Sequence, residues 1–290
     1  MNSILSSELV LNQDGSIYHL NLLPTDIAHK IIFVGDPDRV SEVSSFFDSI
    51  RVQKQKREFV THTGMYKGTE ITVISTGIGT DNIDIVLNEL DALVNIDLEN
   101  RVVKEQKTSL DIIRIGTSGA VQEDLEIDSI LISKFGIGMD ATMLYYEFIP
   151  SDEEQAISEY LSQHLFEYGA NVVTPYVFKA SDKWLHQFSE FTQGMTLTHN
   201  GFYAPQGREL RAKRLIPEYI EMMNRFQSPL GNITNFEMET STIYGLSSIL
   251  GHNALSVNLI LANRLLGTFS TNYKSKMKET IEICLNKIIK

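Results

Sequence analysis

Cysteine is almost missing from this chain. Its 290 residues hold one, Cys284, which excludes an internal disulfide framework and suits a reducing compartment, the cytoplasm. Long apolar runs are missing too. Hydrophobic residues make up 42%, ample for a core, yet no stretch approaches the roughly 18 residues of a membrane span. Residues 1–11 have no basic region ahead of an apolar one, which is not the pattern of a secretory signal. Positive charge is scarce, 25 Lys and Arg against 37 Asp and Glu, for a net charge of −12. That balance argues against nucleic acid and anionic membranes as partners. There is no internal repeat, low-complexity tract or Pro/Gly-rich linker, so residues 1–290 read as one domain. An acidic chain that binds a small anion must gather cations locally, and single arginines therefore become informative.

What is present centres on Ile112-Ile113-Arg114-Ile115-Gly116-Thr117-Ser118-Gly119-Ala120. The apolar run reads as a strand buried on both faces, ending in a small-residue turn at Gly116-Thr117-Ser118-Gly119. Arg114 sits inside the run, where burial is costly unless the charge has a partner. Two readings stand. A strand that delivers an arginine and then bare backbone N–H groups is suited to an anion. A plain strand-to-loop junction with Arg114 paired to a carboxylate explains the same residues.

Upstream, residues 1–27 are polar and irregular, and His19 by itself reads as a surface residue. Ile31-Ile32-Phe33-Val34 predicts a buried strand, broken by Gly35-Asp36-Pro37-Asp38-Arg39. Asp36 is a good N-cap and Pro37 a good first helical residue, followed by Val40, Val43 and Phe47 at helical spacing. A helix N-terminus beside Gly35 and Arg39 favours an anion. Tyr66-Lys67-Gly68-Thr69 predicts a hairpin. Ile71-Thr72-Val73-Ile74 predicts a strand running into Ser75-Thr76-Gly77-Ile78-Gly79, and Ile83, Val86, Leu87 and Leu90 mark one helix face. Gly77-Ile78-Gly79 lacks the third glycine and distal acid of a dinucleotide site.

Residues 95–110 are charged and read as a surface insertion. Residues 129–133 predict a strand, and Ser151-Asp152-Glu153-Glu154 a capping box before a helix closed by Gly169. Thr196-Leu197-Thr198 predicts a short strand opening into Phe202-Tyr203-Ala204-Pro205-Gln206-Gly207-Arg208. Aromatics, an amide and a guanidinium can stack on a flat ring and bond its edge; an ordinary polar turn has the same composition. Asn235-Phe236-Glu237-Met238-Glu239 reads as the entry to a helix ending near Gly251. There one carboxylate can serve the helix N-terminus while the other points into a cleft. A last strand over 255–262 leads to Asn263-Arg264, and a closing helix carries Met277, Ile281, Cys284, Leu285 and Ile288 on one face. The order of elements predicts one α/β domain with a central mixed sheet and helices on both sides. Arg114, Gly35, Gly77, Thr198 and Asn263 fall at strand C-termini, where such folds collect ligands.

Taken in order, Gly35-Asp36-Pro37-Asp38-Arg39, Arg57-Glu58-Phe59, Ser75-Thr76-Gly77-Ile78-Gly79, Arg114 to Gly119, Phe202-Tyr203 with Gln206-Gly207-Arg208, and Phe236-Glu237-Met238-Glu239 form a specific series. The chain resembles the nucleoside phosphorylase-I family, most of all its uridine phosphorylase branch, from about His19 to the closing helix. The family's Phe-Tyr-x-Gly-Gln-x-Arg stands here as Phe-Tyr-Ala-Pro-Gln-Gly-Arg. The resemblance implies a three-layer α/β/α fold with a central mixed, partly barrel-like sheet. It implies that Gly35, Arg39, Arg114 and Thr117 hold phosphate, with Arg57 reaching in from a neighbouring subunit. Thr117, Met238 and Glu239 would bind ribose, and His19 would reach the 5′-hydroxyl across a dimer interface. Phe202 would stack on the base, Gln206 and Arg208 would bond its edge, and Glu237 would line the base side.

The implied reaction is phosphorolysis of a pyrimidine nucleoside, uridine and phosphate giving uracil and ribose 1-phosphate, with Arg114, Arg208, Gln206 and Glu239 at the chemistry. It calls for no metal and no cofactor beyond the co-substrate phosphate. Some bacterial members seat a monovalent cation between subunits near the positions of Glu58 and Ile78; the third ligand position is Asn82 here, and no ion is expected. The expected assembly is a homo-oligomer with the dimer as catalytic unit, and the Gly-Asp-Pro-Asp-Arg series leans to a hexamer. Purine nucleoside phosphorylases place an aspartate where Asn263-Arg264 stands. A nucleosidase would not need Arg39, Arg57 and Arg114 together, and a non-catalytic nucleoside-binding protein would have no use for the phosphate site.

Overall fold

The computed structural model describes residues 3–170 and 172–290. The apolar run after Lys30 forms β1 (Lys30–Val34), and the Asp36 side chain accepts the Asp38 N–H to cap α1 (Pro37–Ser44). Next come β2 (Ser49–Lys56) and β3 (Phe59–Tyr66), joined through Arg57-Glu58. β4 (Thr69–Ser75) follows a Lys67-Gly68 turn in which both residues have positive φ, the two-residue hairpin geometry that matches strand twist. α2 (Thr80–Asn95) buries the expected Ile83, Val86, Leu87 and Leu90. Residues 96–103 carry a small hairpin, β5 (Ile96–Asp97) and β6 (Val102–Val103). The N-terminal segment lies against it: the Ile4 N–H donates to the Arg101 carbonyl at 2.8 Å, and Arg101 Nη1 to the Leu9 carbonyl at 2.6 Å.

β7 (Asp111–Ala120), β8 (Ile130–Met139) and α3 (Asp152–Glu167) come next. Ser151 and Glu154 cap α3 reciprocally, and Gly169 closes it at a φ of 64°. The remainder is β9 (Tyr176–Lys179), α4 (Asp182–Gln187), β10 (Thr192–His199), α5 (Tyr219–Asn224), β11 (Ile233–Glu237), α6 (Thr240–Leu250), β12 (Asn253–Asn263), β13 (Thr268–Phe269) and α7 (Tyr273–Ile288). On α7, Met277, Ile281, Cys284, Leu285 and Ile288 are buried as the spacing predicts. No helix among the described residues is long and apolar enough to cross a membrane.

One mixed sheet runs β13-β12-β8-β10-β11-β7-β1-β4-β3-β2, with β9 on β8. Because β7 also pairs with β12, the strands β7, β12, β8, β10 and β11 close on themselves, while β1, β4, β3 and β2 extend from β7 as an open arm. This is the central mixed, partly barrel-like sheet that the resemblance implies. Its middle strands carry buried apolar runs, with Ile31 to Val34, Ile112, Ile113, Leu255 and Val257 at zero exposure, as strands covered on both faces must.

Two expectations need correcting. Residues 116–119 are not a turn; β7 runs unbroken to Ala120, because β12 is long enough to pair beside it in parallel from Asp111 to Ala120. The small residues serve packing instead. A Cβ at Gly116 would collide with the Arg114 guanidinium, and one at Gly119 would crowd the Arg264 side chain at 3.2 Å. Likewise Asn235-Phe236-Glu237 is the end of β11, and α6 starts only at Thr240. β10 and β7 take up Asn235 to Glu237 as a strand between them.

The junction of arm and barrel creates the opening for a site. β1 stops at Val34, opposite Ile115, while β7 continues. β11 joins β7 only at Gly119. Between those points the β7 edge at Gly116 to Ser118 faces a cavity rather than a strand.

Candidate active site

The cavity is about 750 Å³ in volume and lies at the C-terminal ends of β1, β4, β7 and β11. Gly35 enters it from the β1–α1 turn, Arg39 from the first turn of α1, Gly77 and Ile78 from the β4–α2 turn, and Arg114 and Thr117 from β7. Glu237, Met238 and Glu239 come from the β11–α6 turn, and Phe202, Gln206 and Arg208 from the loop after β10. Ten of the twelve site residues inferred from sequence therefore line one space: Gly35, Arg39, Arg114, Thr117, Phe202, Gln206, Arg208, Glu237, Met238 and Glu239.

Arg114 is buried in the middle. Its Nη2 donates to Glu239 Oε2 at 2.5 Å and lies 3.2 Å from Glu237 Oε2; its Nη1 donates to Asn258 Oδ1 at 3.1 Å and Ser256 Oγ at 3.3 Å. Burial alone would depress this cation, but Glu237 and Glu239 outweigh it and hold Arg114 above its ordinary range. Both open readings of Arg114 thus hold in part, since it is paired and it also faces the cavity.

The two carboxylates divide their work as their spacing allows. Glu237 accepts the backbone N–H groups of Glu239 and Thr240, both at 3.0 Å, which serves the N-terminus of α6, and takes the Thr198 hydroxyl at 2.6 Å. Glu239 faces the cavity, where Oε1 accepts the Gly79 N–H at 2.8 Å. Burial pushes Glu239 upward and the Glu237 charge adds to this, against the pull of Arg114. Thr198 thus reaches the site through Glu237, while Asn263 is occupied elsewhere, donating to the carbonyls of Gln122 and Leu125.

Arg39 is half-buried and forms no ion pair among the described residues. Burial depresses it and the like charge of Arg114 adds to that, with Asp36 opposing. Two guanidinium groups that repel each other across one cavity, beside the glycines at 35 and 116 and the open edge of β7, make a site where an oxyanion is favoured.

At the far end Gln206 is 2% exposed. Its Oε1 accepts from Arg208 Nη1 at 2.6 Å and its Nε2 donates to the Glu237 carbonyl at 3.3 Å. Arg208 stacks on the Phe202 ring, 3.6 Å from its centroid. Burial, helped by the charge of Arg264, lowers Arg208 to about 10. Arg264 is the participant that sequence reasoning missed: its Nη1 donates to the Gln206 carbonyl at 3.1 Å and its stem covers Gly119. The available signal was a cation directly after β12 in a cation-poor chain.

His19 and Arg57 do not line this cavity. Arg57 is exposed at the tip of the β2–β3 turn with a φ of 56°, and His19 is held by Glu89 of α2. The two lie close together, because Lys56 donates to the carbonyl of Tyr18 and stands over the Tyr18 ring at 4.4 Å. Glu58, Ile78 and Asn82, absent from the inferred site residues, line the cavity itself.

Comparison with known proteins places the chain in a family. Residues 29–289 match the model of the phosphorylase superfamily. The chain belongs to that superfamily. It is an enzyme of the pentosyltransferase class, similar over 93% of its length to the uridine phosphorylase of Thermococcus kodakarensis, with 30% identity across 85% of that relative. A DeoD-type purine nucleoside phosphorylase of Oceanobacillus iheyensis is 26% identical over 94% of this chain and 99% of its own. Among solved structures, a Trypanosoma brucei nucleoside phosphorylase described as showing uridine phosphorylase activity superposes with a TM-score of 0.89 at 31% identity, covering 97% of this chain and 99% of that one. The superfamily membership and the α/β fold implied by the ordered motifs are thus established.

Proposed function

We propose that this phosphorylase cleaves uridine with inorganic phosphate, giving uracil and ribose 1-phosphate. The observation that carries the base assignment is the pairing of the buried Gln206 amide with Arg208. Together they offer a donor, an acceptor and a second donor in a row. That set complements the carbonyl, N–H, carbonyl edge of uracil. Phe202 supplies an aromatic face whose other side is already covered by a guanidinium.

Phosphate sits between Arg39 and Arg114, against Gly35 and Thr117, and an Arg57 from a neighbouring subunit closes it in. Thr117, Met238 and Glu239 hold the ribose, Glu239 by its hydroxyls, and a neighbouring His19 takes the 5′-hydroxyl. Glu237 anchors both Arg114 and the base-side turn. In the reaction the bond from ribose C1′ to the base nitrogen breaks while a phosphate oxygen closes on C1′. Positive charge that develops on the sugar is met by the phosphate dianion. Negative charge that develops on the departing ring falls on its oxygens, where Arg208 and Gln206 stabilise it. Phosphate is the nucleophile, so the step calls for no protein nucleophile, no metal and no organic cofactor. His19 and Arg57 lie outside their own cavity, which supports a dimer as the catalytic unit, and the Gly-Asp-Pro-Asp-Arg series leans to three such dimers in a hexamer.

The purine relatives raise a second reading, in which an acid after the last strand protonates the base. Against it, the position holds Asn263, committed to two backbone carbonyls, and Arg264, committed to Gln206. The deciding assay offers uridine, thymidine, inosine and adenosine with and without phosphate. Preference for inosine rejects the base assignment, and equal cleavage without phosphate rejects phosphorolysis. An active monomer in sedimentation removes the shared site.

A further inference from the structure

Glu89 belongs to none of the subsites above, yet it accepts from three donors of the N-terminal segment. It lies on α2, the helix that begins just after the Gly77-Ile78-Gly79 turn, and its side chain is 13% exposed. Both of its oxygens accept the backbone N–H of His19 at 3.0 Å, Oε2 accepts the Leu20 N–H at 2.8 Å, and Oε1 lies 2.6 Å from His19 Nδ1. A carboxylate only accepts, so at that distance the proton must be on Nδ1. In the neutral ring Nε2 then carries a lone pair. Nε2 has no hydrogen-bond partner among the described residues, and the His19 side chain is 29% exposed. The ring is also held on its flank, edge-on to Tyr18 at 4.8 Å, and Lys56 in turn covers Tyr18.

We propose that Glu89 is a positioning residue for nucleoside recognition: it fixes His19 as the Nδ1-protonated tautomer and aims Nε2 outward as an acceptor for the 5′-hydroxyl. This rests on the assignment of His19 to that hydroxyl in a neighbouring subunit's site. The carboxylate does so without touching substrate, by spending its acceptor capacity on the backbone and ring of one residue. The Gln side chain cannot replace it, because its amide nitrogen would meet one of the same N–H donors.

The test compares uridine with 5′-deoxyuridine, each with phosphate, in wild type, Glu89→Gln, His19→Ala and the double variant. In wild type uridine is preferred in kcat/KM, and Glu89→Gln cuts that preference by roughly five- to tenfold through KM, the loss of one oriented hydrogen bond. Its rate on 5′-deoxyuridine stays put. In the His19→Ala background Glu89→Gln changes the preference no further, since the two residues act as a unit. Equal losses on both substrates assign Glu89 a merely structural role and overturn the proposal, as does an unchanged preference in Glu89→Gln alongside a collapsed one in His19→Ala. An unchanged preference in His19→Ala itself overturns the subsite assignment beneath it. A readout free of activity is the 15N–1H two-bond correlation of His19 in 15N-histidine-labelled wild type, assigned by difference with His19→Ala. The Nδ1–H pattern is expected, and the Nε2–H pattern refutes the tautomer.

Discussion

The sharpest consequence of the geometry is that one methyl group on the floor of the cavity should disable the enzyme. A Cβ built on Gly116 meets three atoms of the Arg114 guanidinium at distances that side chains do not tolerate. The backbone there is ordinary strand, so an alanine in place of Gly116 is itself unstrained and the whole cost falls on Arg114. The guanidinium must retreat by about an ångström or more, too far to keep the 2.5 Å bond to Glu239. A hydrogen bond between charged groups is worth about 1.5–3 kcal/mol, and Ser256 and Asn258 lose their geometry with it. Gly116→Ala should therefore lower stability by about 1–3 kcal/mol, leaving the protein folded. On the proposed reaction the catalytic loss is larger in effect, because the displaced cation would no longer meet phosphate where charge develops. Removing one such preorganised contact costs on the order of 2–4 kcal/mol of barrier, or about 30- to 1000-fold in kcat/KM. The assay is initial velocity against phosphate and uridine with thermal melting in parallel. Gly119→Ala is the companion, since its Cβ comes closest to the flexible stem of Arg264, at 3.2 Å, and should cost less. A folded Gly116→Ala protein with kcat/KM within about threefold of wild type would refute the role given to Arg114.

Other consequences are simpler to check. Arg208→Ala removes both the partner of Gln206 and the cover of Phe202, and should cost about 100-fold or more in kcat/KM for uridine; Arg208→Lys should recover little, because an ammonium cannot stack and bond as a fork. His199 is buried, its Nδ1 has no partner among the described residues, and burial pushes it down to about 3. The unfolded chain takes up that proton near pH 6.5 and the folded one does not, so this contribution to stability is complete above pH 6.5 and is lost as pH falls toward 3. Between pH 7 and 5 wild type should lose about 2 kcal/mol more in urea unfolding than His199→Gln, and equal losses would contradict it. Cys284 is fully buried and burial raises its thiol, so a disulfide reagent should react with it only in denaturant.

The parts of the fold that could be read from sequence are those whose cause is local. Asp36 before Pro37, the Ser151–Glu154 box and Gly169 mark helix ends through bonds made within a few residues. The apolar runs of β1 and β4 and the stripe of α2 announce burial directly. β2 escaped because it is an edge strand with one buried residue, Val52, so its side chains carry no alternation to detect. β7 was cut short for the opposite reason. Its glycines look like a turn, and what keeps them extended is β12, more than a hundred residues later in the chain.

The same division runs through the site. The motifs around Arg114, Glu237 and Glu239 are weak taken singly, and only their ordered series pointed to the superfamily. Their relation was not legible, because a charge buried at 114 is answered by carboxylates that only the barrel closure brings within 3.2 Å. That closure has a physical corollary. Arg114 cannot be supplied by the open arm alone or by the barrel alone, since β1 and β11 share one edge of β7 and β12 holds the other. The turn after β1 that carries Gly35 and the turn after β11 that carries Met238 therefore meet on one strand. A displacement of β7 by a single pleat would turn Arg114 to the opposite face of the sheet and leave Glu237 and Glu239 as two unpaired buried carboxylates. Stability and chemistry at this position share one geometry, which is why a long strand, rather than a loop, carries the central arginine.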